Sequence, residues 1–248
     1  MRFNGMSPSE ISTKIFVARE VISPIPPRTV RLVAGSRQSY LAGVDIVPRD
    51  VHLHLNFAGR SIANANELAA KAAALFCRDE LSEYEPTHMP GKALSVILSA
   101  ATEPEWHWGF GVIEYTFTAP RPYFHSTSET VVNGGAQVYI EPRGSVPASP
   151  VITHQMAESA AALTLSVCDG IASPQTVMRI RNPLGTALPA GLVISIDFGN
   201  RLCTINGTAA NEYIDYTASE WHPVILGGTL LTLSDGGSTT ARWQDEWM

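Results

Sequence analysis

Along most of this chain the apolar positions recur at every second residue, the spacing of strands with one buried face. The clearest case is Asp50-Val51-His52-Leu53-His54-Leu55-Asn56-Phe57, which puts Val51, Leu53, Leu55 and Phe57 on one face and His52, His54 and Asn56 on the other. Val30–Val33, Ala93–Leu98 and Val112–Phe117 read as further strands of the first half. One segment breaks the rhythm. From Asn64 or Asn66 to Leu81 the chain is dense in alanine, and Leu68, Ala72, Leu75, Phe76 and Cys77 fall on one helical stripe suited to packing on a sheet. Either asparagine is a suitable N-cap, and Pro86 and Pro90-Gly91 close the connection that follows. Before these elements, the apolar run Ile15–Val21 ends in Ser23-Pro24-Ile25-Pro26-Pro27, which predicts an extended arm or an edge.

After Gly135 only strands are predicted. They cover Gln137–Ile140, Ser149–Ile152, Ala162–Val167, Thr176–Ile180, Leu192–Phe198, Leu202–Ile205, Tyr213–Tyr216, Thr229–Ser234 and Thr240–Trp243. Asp169-Gly170, Asn206-Gly207, Gly227-Gly228 and Asp235-Gly236-Gly237 supply turns between them, the rhythm of an antiparallel sandwich. Between the halves, the strand ending at Phe117 is stopped by Pro120 and Pro122, and the polar stretch His125–Gly135 reads as an exposed linker. The expected fold class is therefore mainly β, in two domains. Residues 1–128 form a β domain with one packed α-helix, and residues 129–248 form an antiparallel β-sandwich.

Composition narrows the function. Charged residues make up 16% of the chain, below the usual ~25%, which suits a surface spent on protein contacts. The net charge is −6 and no basic stripe occurs, which argues against a nucleic-acid grip. Cys77, Cys168 and Cys203 are odd in number and far apart, so neither a disulfide framework nor a zinc knuckle is indicated and reduced thiols are expected. The opening residues lack the apolar core of a signal peptide, and no apolar run approaches the ~18–20 residues that span a bilayer. A protein made in a cytoplasm, without a membrane partner, is the expectation.

Candidate chemistry is sparse. His52-x-His54 places two imidazoles on one strand face, but a zinc site needs further ligands and no HExxH or cysteine pair accompanies them. No GxSxG elbow, dinucleotide fingerprint or Walker A loop occurs, and the carboxylate pairs Glu83/Glu85 and Glu103/Glu105 lie in connecting segments. His54-Leu55-Asn56 with Trp106 and Trp108 superficially resembles the His-x-Asn-Pro-Arg strand and tryptophan of galectins. Phe57 stands in the proline position, however, and the next arginine, Arg60, lies beyond Gly59. No catalytic, cofactor-binding or metal-binding residue is assigned, and no enzyme and no cofactor are expected.

One resemblance spans nearly the whole chain. Phe3-Asn4-Gly5 opens it; Phe117-Thr-Ala-Pro120-Arg-Pro122-Tyr123 forms a strand–proline–aromatic stop; Asn133-Gly134-Gly135 and Pro150-Val-Ile152 follow. The end reads Ile194-Ser-Ile-Asp197, Arg201-Leu-Cys-Thr-Ile-Asn206-Gly207, Trp221-His-Pro-Val-Ile-Leu226-Gly-Gly228, then Trp243 and Trp247. In order and spacing these motifs resemble the distal tail protein family of long-tailed, non-contractile bacteriophages, with Arg121 where members often carry an acidic residue. The resemblance implies a ring-forming N-terminal domain and a galectin-like C-terminal sandwich. It further implies a hexameric ring at the virion tail tip, assembled in the host cytoplasm. Its partners would be the tail tube protein, the tail-associated or baseplate hub protein and, in many members, a receptor-binding protein. The competing reading is a carbohydrate-binding β-sandwich adhesin module of a virion.

Overall fold

Alternation along the strands decides which face of each sheet is buried, and the computed structural model shows this most plainly in the first unit. The structure describes all residues except 24–26, 35–38, 108–109, 169–174, 222–224 and 226–227, with 33–34 and 39–44 described in backbone alone. Several sequence features therefore lie outside the described residues: Pro24-Ile25-Pro26, Gly35-Ser36, Trp108, Asp169-Gly170 and most of the run between Trp221 and Gly228. The chain divides into two compact units, Met1–Thr127 with Met248, and Ser128–Trp247.

The first unit carries β1 (Arg2–Phe3), α1 (Pro8–Ile11), β2 (Ile15–Ile22), β3 (Arg28–Ala34), β4 (Ser39–Ile46), β5 (Arg49–Ala58) and α2 (Ile62–Phe76). These are followed by β6 (Ser82–Glu85), β7 (Lys92–Ala101), β8 (Glu105–His107), β9 (Phe110–Ala119) and β10 (Phe124–Ser126). Its main sheet runs β1-β6-β7-β9-β5-β2, with β8 on β9 and β10 on β7, and every strand pair in it is antiparallel. The predicted pleat of β5 holds: Val51, Leu53, Leu55 and Phe57 are fully buried, while His52, His54 and Asn56 are half-buried on the other face.

Helix α2 covers the buried face. Leu68, Ala72, Leu75 and Phe76 are all buried, as the stripe requires. Its bounds differ from the expected Asn64–Leu81. The helix starts earlier because Ser61, not an asparagine, is the N-cap, its Oγ accepting from the Asn64 N–H at 3.2 Å. It stops at Phe76, and Cys77 is its exposed C-cap. Beyond that, Arg78, Asp79, Glu80 and Leu81 are exposed and offer no apolar face to hold another turn.

Aromatic rings join helix to sheet. Phe76 meets Phe3 at 5.1 Å, Tyr115 at 5.1 Å and Phe117 at 5.6 Å between ring centroids, and Phe117 also meets Phe3 at 5.3 Å and Tyr84 at 5.9 Å. Phe3 reaches this cluster through a tight turn. Asn4 and Gly5 both have positive φ, 50° and 78°, and Phe3 and Met6 exchange two backbone hydrogen bonds across them. Asparagine followed by glycine is the pair that tolerates this geometry, so the opening Phe-Asn-Gly has a local physical cause.

The second unit is a two-sheet structure. One sheet runs β11 (Thr130–Gly134), β20 (Ser238–Trp243), β13 (Val151–Gln155), β16 (Val193–Asp197), β17 (Leu202–Ile205) and β18 (Thr208–Ala209). The other runs β12 (Gln137–Ile140), β19 (Thr229–Leu233), β14 (Ala162–Cys168) and β15 (Gln175–Arg181). Both sheets contribute to one core: Ile152, Ile194, Ile196 and Trp243 from the first, Leu163, Leu165, Met178 and Leu231 from the second. The protein is thus mainly β with antiparallel sheets and one long helix.

Two expectations for this region are corrected. The stretch His125–Gly135 is not an irregular linker throughout, because Phe124–Ser126 and Thr130–Gly134 are strands. The β-branched run Thr130-Val131-Val132 pairs along β20, and Asn133 Oδ1 accepts from Thr240 Oγ1 at 2.8 Å. Tyr213–Tyr216 is not a strand. Asn211–Tyr213 form a 3-10 turn, and Asp215 Oδ1 accepts from the Thr217 hydroxyl at 2.6 Å, closing a turn where a ladder was expected.

Leu75→Asp places an unpaired carboxylate against the sheet. It is expected to destabilise the first unit by about 3 kcal/mol or more, read by urea denaturation; an unchanged midpoint contradicts this packing of α2.

Candidate assembly surface

The most open apolar surface belongs to a hairpin. Strands β3 and β4 pair with each other from Arg28↔Ile46 to Ala34↔Ser39, and among the described residues they join no other strand. The sequence showed the first of the two strands and missed the second. Val30, Leu32 and Ile46 are 55%, 62% and 41% exposed. The cross-strand pair Arg31–Asp45, at 2.7 Å, sits beside them. A two-stranded hairpin is marginal by itself in water, and an exposed apolar one is a surface in need of a partner. Strand β2 adds a second such feature: it ends the main sheet, with Phe16 and Val21 exposed.

The two histidines of β5 share a carboxylate. Glu114 of β9, paired with His54, brings Oε1 to 3.2 Å from His52 Nδ1 and 3.8 Å from His54 Nε2, and the Thr116 hydroxyl lies 3.3 Å from His52 Nδ1. Among the described residues no group of three or more His, Cys, Asp or Glu side chains is placed to hold a metal ion. Asn56 lies further along the same face, against Val112.

Trp106 is held inside its own unit. It pairs with Gly111, where a Cβ would come within 1.8 Å of the indole, so the ring lies on a bare glycine. Arg60 is exposed and binds Asn64 Oδ1 through its backbone N–H. Glu83 pairs with His125 at 2.7 Å, and that hydrogen bond holds its carboxyl below the usual carboxylate range against the opposing effect of burial. Glu85 accepts from the Gly91 N–H at 2.6 Å, whereas Glu103 and Glu105 are exposed. The four carboxylates converge on no common point. Cys203 is buried and its thiol is pushed up to about 11, chiefly by burial, whereas Cys77 is exposed.

Two buried polar features escaped the sequence reading. In the second unit, His154 is 1% exposed and bridges Thr239 Oγ1, at 2.9 Å from Nδ1, and Asp235 Oδ2, at 3.1 Å from Nε2. Asp235 also accepts from the backbone N–H groups of Ala157, Glu158 and Gly237. This ties the β19–β20 turn to the end of β13. Burial works against the Asp235 charge, but the Ala157 N–H, His154 and the other amides outweigh it and lower its pKa. These partners lie far apart in sequence, and only the turn signal Asp235-Gly236-Gly237 was visible. In the first unit, Arg49 is fully buried, and its Nε, Nη1 and Nη2 have no hydrogen-bond partner. Its guanidinium lies 4.8 Å from the centre of the Phe124 ring, and burial lowers its pKa.

What these units form is a two-part β protein whose β3–β4 hairpin joins no other strand among the described residues. Residues 143–247 match the family model described as siphovirus-type tail component, C-terminal domain. Over the whole chain the fold is similar to the crystal structure of the SPP1 Dit protein, described as a paradigm of hub adsorption apparatus in phages that infect Gram-positive bacteria. The TM-score is 0.80 at 13% identity, covering 99% of this chain and 98% of that one. A chain of the phage P2 baseplate in its activated conformation with calcium gives a TM-score of 0.48 at 11% identity, over 94% of this chain and 90% of that one. No curated protein matches the chain by sequence. The resemblance to the distal tail protein family is borne out, by domain family over the C-terminal part and by fold over the whole.

Asp235→Ala removes one acceptor from three amides and an imidazole and is expected to cost about 3 kcal/mol of second-unit stability. Because the folded-state pKa of Asp235 is lowered, its contribution is present above the usual carboxylate range and fades as pH falls through that folded value. Thermal melts from neutral to acidic pH should therefore converge for parent and variant; a gap that stays constant contradicts the assignment.

Proposed function

We propose that this chain is a phage distal tail structural protein that forms a hexameric ring hub at the tail tip. The ring connects the tail tube to the tail-associated or baseplate protein and to receptor-binding proteins. The chain has no catalytic role and is assembled in the host cytoplasm. The family match and the fold likeness support the tail-component reading. The observation that carries the ring is the β3–β4 hairpin, with Val30, Leu32 and Ile46 exposed and, among the described residues, no third strand beside it. Closing a ring requires one face to meet a different face on the next copy, and a hairpin that needs cover supplies one of the two. Low charge content and the open β2 edge fit the same use. The first unit, residues 1–128 in the sequence division, builds the ring in this account. The second, residues 129–248, is a galectin-like sandwich that docks peripheral proteins.

Light scattering of the purified full chain is expected to give six copies or a multiple. The Val30→Asp, Leu32→Asp double variant is expected to give single copies that keep the parent's circular dichroism spectrum, with a midpoint lowered only by the loss of assembly. A double variant that still assembles removes the hairpin from the interface.

A further inference from the structure

We propose that Arg49 is the anchor of a carboxylate-binding site in the first unit, filled in the assembled ring by an acidic side chain of a neighbouring copy. Arg49 opens β5 opposite Ala119, the last residue of β9, and is 0% exposed. All three of its side-chain nitrogens are buried without a hydrogen-bond partner, and among the described residues theirs are the only side-chain polar atoms left so. The charge lies against the face of Phe124. A ring face attracts a cation but accepts none of its N–H bonds. A guanidinium stays protonated even when burial lowers its pKa. A buried, unpaired charge is among the least favourable arrangements in a protein, so the group calls for an anion that the described residues do not supply.

The chemistry of the site selects the anion. A guanidinium presents its donors as a planar fork that a carboxylate matches with two parallel bonds. One carboxylate neutralises one guanidinium, whereas a phosphate dianion would leave a buried negative charge in place of the buried positive one. The chain carries 23 acidic residues against 17 basic ones, so a second copy is a ready source of the donor. The cover belongs to β10, a strand of three residues that pairs with β7 through His125↔Ala93 and Ser126↔Lys92. Phe124 is itself 1% exposed, so an incoming carboxylate has to displace it to reach the guanidinium. The source of the carboxylate rests on the ring reading, whereas the site itself does not.

The test uses the full-length chain held as single copies by Val30→Asp and Leu32→Asp, hereafter the parent, and acetate alone as the probe. Sodium acetate, against sodium chloride of equal ionic strength, is expected to raise the first-unit melting midpoint saturably by about 2 °C or more. Arg49→Met, which fills the same space without charge, is expected to melt about 4 °C or more above the parent and to ignore acetate. Sodium phosphate, which stabilises by exclusion from the surface, should raise parent and variant by equal amounts. The proposal is overturned if parent and variant respond alike to acetate, if phosphate separates the two as acetate does, or if Arg49→Met melts at or below the parent. A response to acetate, together with an unsubstituted chain that forms no ring, keeps the site and removes the neighbouring copy as its occupant.

Discussion

The first unit depends on one aromatic ring. Phe117, fully buried near the end of β9, touches Phe3, Phe76, Tyr84 and Tyr115. Through these contacts a single side chain joins the N-terminal turn, the last turn of α2, strand β6 and its own strand. Aromatic pairs at such distances contribute beyond their buried area, and the ring fixes α2 against one face of the sheet only. The opposite face is left to His52, His54, Asn56 and Glu114, and among the described residues the β3–β4 hairpin is left without a third strand. What the helix covers and what it leaves open therefore follow from the same packing event.

The second unit solves a different problem. Two sheets bury one another, so its core needs no helix, and its specificity lies in polar ties. The His154–Asp235 bridge holds one end of the first sheet, and Asn206-Gly207, with positive φ at both residues, turns β17 into β18. The two units thus pair a sheet with an uncovered face and an unpartnered hairpin with a self-sufficient sandwich. That division of labour is what an assembling module followed by a docking module requires, and it is the physical content behind the proposed hub.

Much of this was legible in the residues. The period of β5, the stripe of α2 and the strands Gln137–Ile140 and Leu202–Ile205 were read correctly, because burial on one face leaves a periodic trace. The failures share a cause. The N-cap of α2 was misplaced because Ser61 and two asparagines compete on propensity, and geometry chose the serine. The seam read as linker because Asn133-Gly134-Gly135 signals a turn, whereas β11 gains its order from β20, more than a hundred residues later. Arg49 and the His154–Asp235 pair left no local trace, since burial of a charge is a property of what folds over it. His52 and His54 were visible as a pair, but their link to Glu114 needed the β5–β9 register. The order of motifs along the chain carried the resemblance to the distal tail protein family, which no single motif could have done.

Imaging of tails from virions that carry this chain tests the central claim most directly. With the chain labelled at its C-terminus, electron microscopy and symmetry-free averaging should place six copies in a ring at the tip, between the tube and the terminal apparatus. Label distributed along the tube, in the capsid, or at the tip without a closed ring contradicts the account.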